Sequence, residues 1–106
     1  TKRQEYLICL TLDWASRLIN KRVVTIWLLN QSLIHPREVF SDAIEDRANS
    51  IILIHNHPSG TNSPSYEDKM MTDRLKQVSE IIWIKLIDHI IITKDDYFSF
   101  LENSIL

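Results

Sequence analysis

Two histidines, a serine and an aspartate stand close together near the middle of the chain. His55 and His57 belong to the segment His-Asn-His-Pro-Ser-Gly, and Ser65 and Asp68 follow after a short polar loop. Imidazole nitrogens and carboxylate oxygens bind zinc, and three protein ligands leave a fourth tetrahedral position for a water molecule. Zinc lowers the pKa of such a water and polarises a carbonyl oxygen, so these residue types would suit a hydrolase.

The local sequence explains how these side chains could converge. An apolar, β-branched run at residues 51–54 predicts a buried strand that leads directly into the histidines. Alternate residues of an extended chain point to the same side, so His55 and His57 can face one ion. Ser65 suits a helix N-cap, which would put Asp68 in the first helical turn. A strand end and a helix start are therefore predicted to meet at a metal.

Each of these residues also has a plain structural interpretation. Histidine pairs in loops are common at surfaces, and Ser65 with Asp68 could simply cap a helix. Taken together, the four positions favour the metal site. The letters His-Asn-His also suggest a nuclease, but in that family the three residues are dispersed through a ββα-metal fold, so we give this interpretation little weight.

Two strands are predicted before the first helix. They cover residues 6–13 and 23–29, and residues 15–22 join them as a hairpin or a neighbouring pair. Cys9 is the only cysteine, which excludes an internal disulfide and favours a small buried side chain. The alternating apolar residues expected on one face of the first strand are Ile8, Leu10 and Leu12.

Two helices are predicted from apolar residues at helical spacing. Pro36 begins the first helix, which extends to about Arg47, and Ser65 begins the second, which extends to about Glu80. The residues expected to face the core are Phe40, Ile44 and Ala48 in the first helix and Met71, Leu75 and Val78 in the second.

The C-terminal part predicts further strands. Residues 81–93 contain two strand-like runs interrupted near Lys85, and a turn leads to a last strand at 97–100. His89 lies among apolar neighbours, so we expect a hydrogen-bonded structural histidine there. His35 is expected at the entry of the first helix. The pieces together predict a mixed α/β fold.

The composition favours one compact domain. Its 106 residues are 44% hydrophobic and 25% charged, which suffices for a single modest core. No apolar run reaches the ~18 residues of a membrane span, and the first residues lack the apolar core of a signal peptide. We therefore expect a cytoplasmic protein.

The charge gives little support to nucleic-acid binding. Twelve basic residues oppose fourteen acidic ones, the formal net charge is −2, and the only basic pairs are residues 2–3 and 21–22. DNA-binding domains usually present a basic patch or stripe to the phosphates. The sequence predicts no such surface.

The spacing of the four residues resembles a known signature. His55, His57, Ser65 and Asp68 match the pattern His-x-His, seven residues, Ser, two residues, Asp of the JAMM (also MPN or JAB) metalloproteases. Longer strings resemble the bacterial RadC proteins, and the similarity extends from about residue 5 to residue 102. These strings lie at residues 35–40, 51–60, 64–65 and 86–92.

The resemblance implies an α/β fold of mixed α+β type, with a curved mixed β-sheet flanked by helices as in JAMM/MPN and cytidine-deaminase-like domains. We expect residues 1–106 to form a single RadC-type domain without an N-terminal helix-hairpin-helix region. His55, His57 and Asp68 would bind one Zn²⁺ per chain, although manganese or iron could use the same ligands. Ser65 would donate a hydrogen bond to the substrate oxygen as negative charge develops there.

The resemblance also implies a glutamate as general base. JAMM enzymes carry it at the beginning of the first core strand, where Glu5 stands here; a solvated terminal residue is the alternative. Glu38 is the second candidate, although a carboxylate at a helix start can simply interact with the helix dipole. RadC proteins usually have a glycine-containing turn at residues 25–30, whereas Gly60 is the only glycine here, so we expect a different shape for the neighbouring groove.

The function implied is a zinc-dependent hydrolase that cleaves a peptide or isopeptide bond in a peptide or protein substrate. A non-catalytic interaction module is one alternative, because some MPN domains serve as scaffolds. A DNA-repair-associated protein that acts through DNA or a repair partner is another, because RadC proteins have carried that label. A homodimer is also considered.

Overall fold

The computed structural model describes residues 5–24 and 34–106. Within these residues, five strands form one mixed sheet in the order β2-β1-β3-β4-β5, and two helices accompany it. The mixed α/β fold is therefore confirmed. The elements are β1 (Leu7–Leu12), β2 (Leu18–Val24), α1 (Pro36–Glu45), β3 (Ser50–Asn56), α2 (Tyr66–Ile82), β4 (Lys85–Ile92) and β5 (Tyr97–Ser99).

The pairing of the central strands determines which chain ends meet. β1 runs antiparallel to β3, and Leu7 at the start of β1 pairs with His55 near the end of β3. β3 and β4 are parallel, with α2 between them in the chain, so their carboxyl ends lie at the same edge. The residues just before β1 are thereby brought to the edge where β3 ends.

One face of the sheet forms the core with both helices. Leu7 and Cys9 on β1 and Leu53 on β3 are fully buried on this face, in one cluster with residues of α1 and α2. Ile8 and Leu10, which were predicted to share one face of β1, are half-buried on the face opposite Leu7 and Cys9, and Leu12 is buried. Because β1 is apolar at almost every position, alternation alone cannot show which face meets the helices.

The prediction for β2 placed the strand too late in the chain. β2 occupies Leu18–Val24, so most of the predicted connection at 15–22 is strand. It is an edge strand in which most residues are exposed, and its polar centre lacks the apolar run that the prediction relied on. Residues 25–29 of the predicted strand, and the turn at 25–30, lie outside the described residues.

Helix α1 begins at Pro36 as predicted, but it ends at Glu45, before Arg47, and buries a different stripe. Ile44 is 60% exposed, whereas Phe40 was correctly placed in the core. A spacing of four residues drifts around a helix of 3.6 residues per turn, so Ile44 turns away from the core. Ala48 lies beyond the end of α1, but it is buried in the core as predicted. The buried residues of α1 are Val39, Phe40 and Ala43.

Helix α2 begins after its N-cap Ser65, as predicted, and continues past Glu80 to Ile82. Ile81 was predicted in a strand but lies in the last helical turn and is 76% exposed. The helix ends where Trp83 adopts a left-handed conformation. The β propensity of two isoleucines is a weak local preference, which the continuing helix overrides. Met71 and Leu75 are buried as predicted, and Val78 packs against the core partly buried.

Three single-residue predictions are confirmed. Cys9 is buried, and burial, followed by the charges of Asp42 and Asp46, raises the pKa of its thiol to about 12. His89 is fully buried and hydrogen-bonded. His35 is the N-cap residue of α1. No helix in the described part of the chain is long and apolar enough to cross a membrane.

Candidate metal centre

Three predicted metal ligands come together at the edge of the sheet where β3 ends. His55 lies on β3, His57 follows it directly, and Asp68 lies in the first turn of α2. Each offers one ligand atom, and these atoms all lie within 4.8 Å of one another. The side chains of His55 and Asp68 are fully buried, and that of His57 is 12% exposed. The three form a largely enclosed set of two nitrogens and one oxygen.

The orientation of His57 leaves its Nε2 atom available as a ligand. Its Nδ1 lies 2.8 Å from the carbonyl oxygen of Thr61. A carbonyl only accepts hydrogen bonds, so Nδ1 carries the proton, and in the neutral ring Nε2 has a lone pair. Nε2 lies 3.0 Å from Oδ2 of Asp68. A lone pair facing a carboxylate oxygen at this distance requires a shared cation, either a proton or a metal.

The carboxylate of Asp68 is fixed by the start of α2. The backbone N–H of Ser65 donates to Oδ2 at 2.8 Å, and the backbone N–H of Asp68 donates to Ser65 Oγ at 3.1 Å. This is the capping box that the sequence suggested. Burial opposes ionisation of Asp68, but the electrostatic contact with His55 and the hydrogen bonds with Ser65 outweigh burial and lower the pKa of Asp68 far below its ordinary value. The side chain is therefore ionised near neutral pH, as a metal ligand must be.

The second oxygen of Asp68 fits the same role. Oδ1 is buried and accepts no hydrogen bond from the described residues. Nδ1 of His55 lies 3.4 Å from Oδ1. A buried carboxylate oxygen without a donor is costly unless a cation balances it. The residues present therefore fit a divalent metal with nitrogen and oxygen ligands.

His55 lies between two carboxylates. Its Nε2 is 3.0 Å from Oε1 of Glu5, and its Nδ1 faces Asp68. Burial disfavours the charged ring, but the contacts with Asp68 and Glu5 prevail and raise the pKa of His55. The ring thus connects the predicted base to the predicted ligand set.

Glu5 is held at the site by the end of the β1–β3 pairing. The backbone N–H of the next residue, Tyr6, donates to Oδ1 of Asn56 at 2.7 Å. Asn56 stands between the two histidines, so the middle residue of His-Asn-His positions the chain beside Glu5. The side chain of Glu5 is 19% exposed. Glu38, the second candidate base, lies exposed in the first turn of α1, and no contact among the described residues joins it to the ligand set.

A family model for the RadC-like JAB domain matches residues 1–105. The chain belongs to the RadC family. It is 47% identical over 104 residues to a UPF0758 protein of Pelobacter propionicus; the aligned residues cover 98% of this chain and 45% of that protein. It is 50% identical over 103 residues to a UPF0758 protein of Pelodictyon phaeoclathratiforme, with 97% and 46% covered. A UPF0758 protein of Methanospirillum hungatei is 54% identical over 93 residues, with 88% and 41% covered.

The chain spans about half the length of these curated RadC-family relatives. Their shared name states no activity. Family membership therefore supports the JAMM-like fold and the interpretation of the ligand set as a metal site. The reaction and the identity of the metal depend on further argument.

Ser65 has one observed role and one predicted role in this RadC-family site. Its Oγ accepts the N–H of Asp68 and thereby caps α2. A hydroxyl can accept and donate at the same time, so its proton stays available to a substrate oxygen. The capping role is observed, and the role toward substrate stays a prediction.

The sequence reasoning missed the residues that orient the ligands. Thr61 fixes the ring of His57 through a backbone carbonyl, which no side-chain pattern reveals. Asn56 was visible between the histidines, but its partner Tyr6 lies 50 residues away in the chain. Thr72 follows Asp68 by four residues, a helical spacing that could have indicated contact between them.

Proposed function

We propose that this RadC-family domain is a zinc-dependent hydrolase that cleaves a peptide or isopeptide bond. The observation that carries the proposal is the buried set of His55, His57 and Asp68, whose ligand atoms lie within 4.8 Å of one another. The nitrogen and oxygen donors suit zinc, which when bound supplies a water of lowered pKa and a Lewis acid for the scissile carbonyl.

The surrounding residues support an assignment of roles. Glu5, next to His55, would accept a proton from the attacking water and return it to the leaving amine. Ser65 would donate its hydroxyl proton to the carbonyl oxygen as that oxygen becomes negative. Thr61 and the capping box hold His57 and Asp68 in fixed orientations, so little reorganisation is needed when substrate binds.

The proposed partner is a peptide or protein substrate. Direct DNA binding by this domain has less support, because the formal net charge is −2. A homodimer and a cytoplasmic location remain predictions from the sequence.

The first experiment is elemental analysis of the purified chain. We expect about one zinc per chain, and loss of zinc in His57→Ala and Asp68→Asn. His35→Ala and Asp73→Asn are matched controls, because they change the same residue types away from the ligand set and should keep the metal. Circular dichroism shows whether each variant is folded.

Turnover is tested next with a library of quenched fluorescent peptides and with isopeptide-linked substrates. The zinc-loaded chain should cleave at least one class, and Glu5→Gln should be inactive while it still holds zinc. A wild-type chain that binds no metal near neutral pH, even with zinc supplied, would refute the hydrolase proposal and leave an interaction module as the better account.

A further inference from the structure

We propose that Thr72 and His89 are positioning residues for the metal centre, because they fix α2 to β4 and so hold Asp68 at its place beside His55. The inference rests on the proposed zinc site and deepens it. Neither residue is a ligand in the proposed set, and both lie behind it in the core.

A short hydrogen-bonded chain connects the two residues to Asp68. Thr72 Oγ1 lies 2.8 Å from the backbone oxygen of Asp68 and 2.6 Å from Nδ1 of His89. The carbonyl can only accept, so the single hydroxyl proton of Thr72 is donated to it. Nδ1 of His89 must then donate to Thr72. The direction of both hydrogen bonds is therefore determined.

The environment of His89 agrees with this direction. The residue is fully buried, and burial, followed by repulsion from His55, lowers its pKa to about 3. The ring is neutral near pH 7 and carries its one proton on Nδ1. It stacks on the ring of Phe100, with centroids 4.6 Å apart and planes inclined by 10°. This packing leaves the ring little freedom to rotate away from Thr72.

The hydrogen bonds of Thr72 determine where Asp68 lies relative to His55. His89 is on β4 in register with Leu53, which precedes His55 by two residues on the neighbouring parallel strand. The β3–β4 pairing therefore fixes the spacing between His89 and His55. In the described part of the chain, Thr72 to His89 is the one side-chain hydrogen bond between α2 and β4. Through it, the first turn of α2 is held to the strands that carry the metal site.

A buried histidine at position 89 has an energetic cost that its packing against Phe100 does not offset. Nε2 of His89 is buried and has no hydrogen-bond partner among the described residues. An apolar ring of similar size would stack on Phe100 without leaving a buried polar atom unsatisfied. The Nδ1 hydrogen bond to Thr72 is what a phenylalanine could not provide. We attribute the histidine to that bond.

The test measures the zinc dissociation constant of the full chain by competition with a chelating dye. Thr72→Val removes the hydroxyl and keeps the shape, and His89→Phe removes the Nδ1 donor and keeps the stacking. Each should weaken zinc binding about 10- to 100-fold, the usual effect of losing a group that orients a metal ligand. Thr72→Ser keeps the hydroxyl and should bind zinc nearly as tightly as the wild type.

Ser79→Ala is the matched control for a loss of stability alone. Ser79 is also buried on α2, and its hydroxyl donates to the backbone oxygen of Lys76 at 2.7 Å, remote from the ligand set. Thermal unfolding of the metal-free variants records the stability of each. We expect Ser79→Ala to lower the melting temperature without changing the zinc dissociation constant.

The outcomes separate this inference from the proposed function. If the wild type binds zinc and Thr72→Val binds it equally well, the inference is overturned and the zinc site survives. If Thr72→Ser is as weak as Thr72→Val, the hydroxyl is not the responsible group and the inference is also overturned. If the wild type binds no zinc, the proposed function fails as well. Should His89→Phe not fold, the two Thr72 variants decide the question.

Discussion

Ser65 allows the capping role and the proposed catalytic role of one side chain to be measured separately. Ser65→Ala removes both the acceptor for the Asp68 N–H and the hydroxyl proton. Loss of an N-cap acceptor costs about 1 kcal/mol in the free energy of unfolding, which corresponds to about 4–8 °C in melting temperature for a domain of this size. Ser65→Asp keeps a cap acceptor, but its ionised carboxylate has no proton to donate, so it should unfold close to the wild-type temperature.

The two variants should nevertheless lose activity together. If the hydroxyl stabilises the developing oxyanion, its removal lowers kcat about 10²- to 10³-fold in both Ser65→Ala and Ser65→Asp. Thermal unfolding of the metal-free chain and steady-state hydrolysis of the best peptide substrate are the two assays. Zinc content must be equal in all three proteins, because Ser65 also contacts Asp68 through its backbone.

Two results would refute this reasoning. Full turnover by Ser65→Asp would show that the hydroxyl does not act on the substrate and that Ser65 is a cap alone. An unchanged melting temperature in Ser65→Ala would show that the capping bond contributes little.

Three further predictions concern Glu5, Asp46 and Cys9. Glu5→Gln should keep the zinc affinity and lose hydrolysis; a zinc dissociation constant raised about 10- to 100-fold would instead assign Glu5 to the orientation of His55. The hydrogen bond from Arg22 lowers the pKa of Asp46 against the effect of burial, so its stabilisation is present above the ordinary aspartate pKa and is lost as the pH falls through the lowered value. As the pH is lowered, the free energy of unfolding should fall less steeply in Asp46→Asn than in the wild type. The same decrease in both proteins would contradict this. The Cys9 thiol, with its pKa raised to about 12, should resist iodoacetamide at pH 8 and react only after denaturation.

Local features of the sequence were sufficient to predict the elements that carry the proposed metal ligands. The strand before His55 and the capping box of Ser65 and Asp68 depend on residues a few positions apart. Short-range periodicity and capping are physical preferences that operate within one element. The spacing of these residues therefore carried the metal-site prediction and the family resemblance.

The sequence left the outcome open, or led to an error, where a local pattern suited two structures. β1 is apolar on both faces, and the isoleucines at the end of α2 suit a helix or a strand. The exposed edge strand β2 has no apolar periodicity that could reveal it. In each case the deciding contribution is packing against an element that is distant in sequence.

The sequence by itself determined the chemical types available to the site, the strand that leads into the two histidines and the helix that begins after Ser65. Only the tertiary structure decided that Glu5, rather than Glu38, lies beside His55. Glu5 and His55 are 50 positions apart in the chain and meet through the antiparallel pairing of β1 with β3. The tertiary structure also decided that His89 supports Asp68 through Thr72, because the hydrogen bond between Thr72 and His89 requires α2 to pack on β4. Such contacts depend on sheet order and on helix packing, which no local preference specifies.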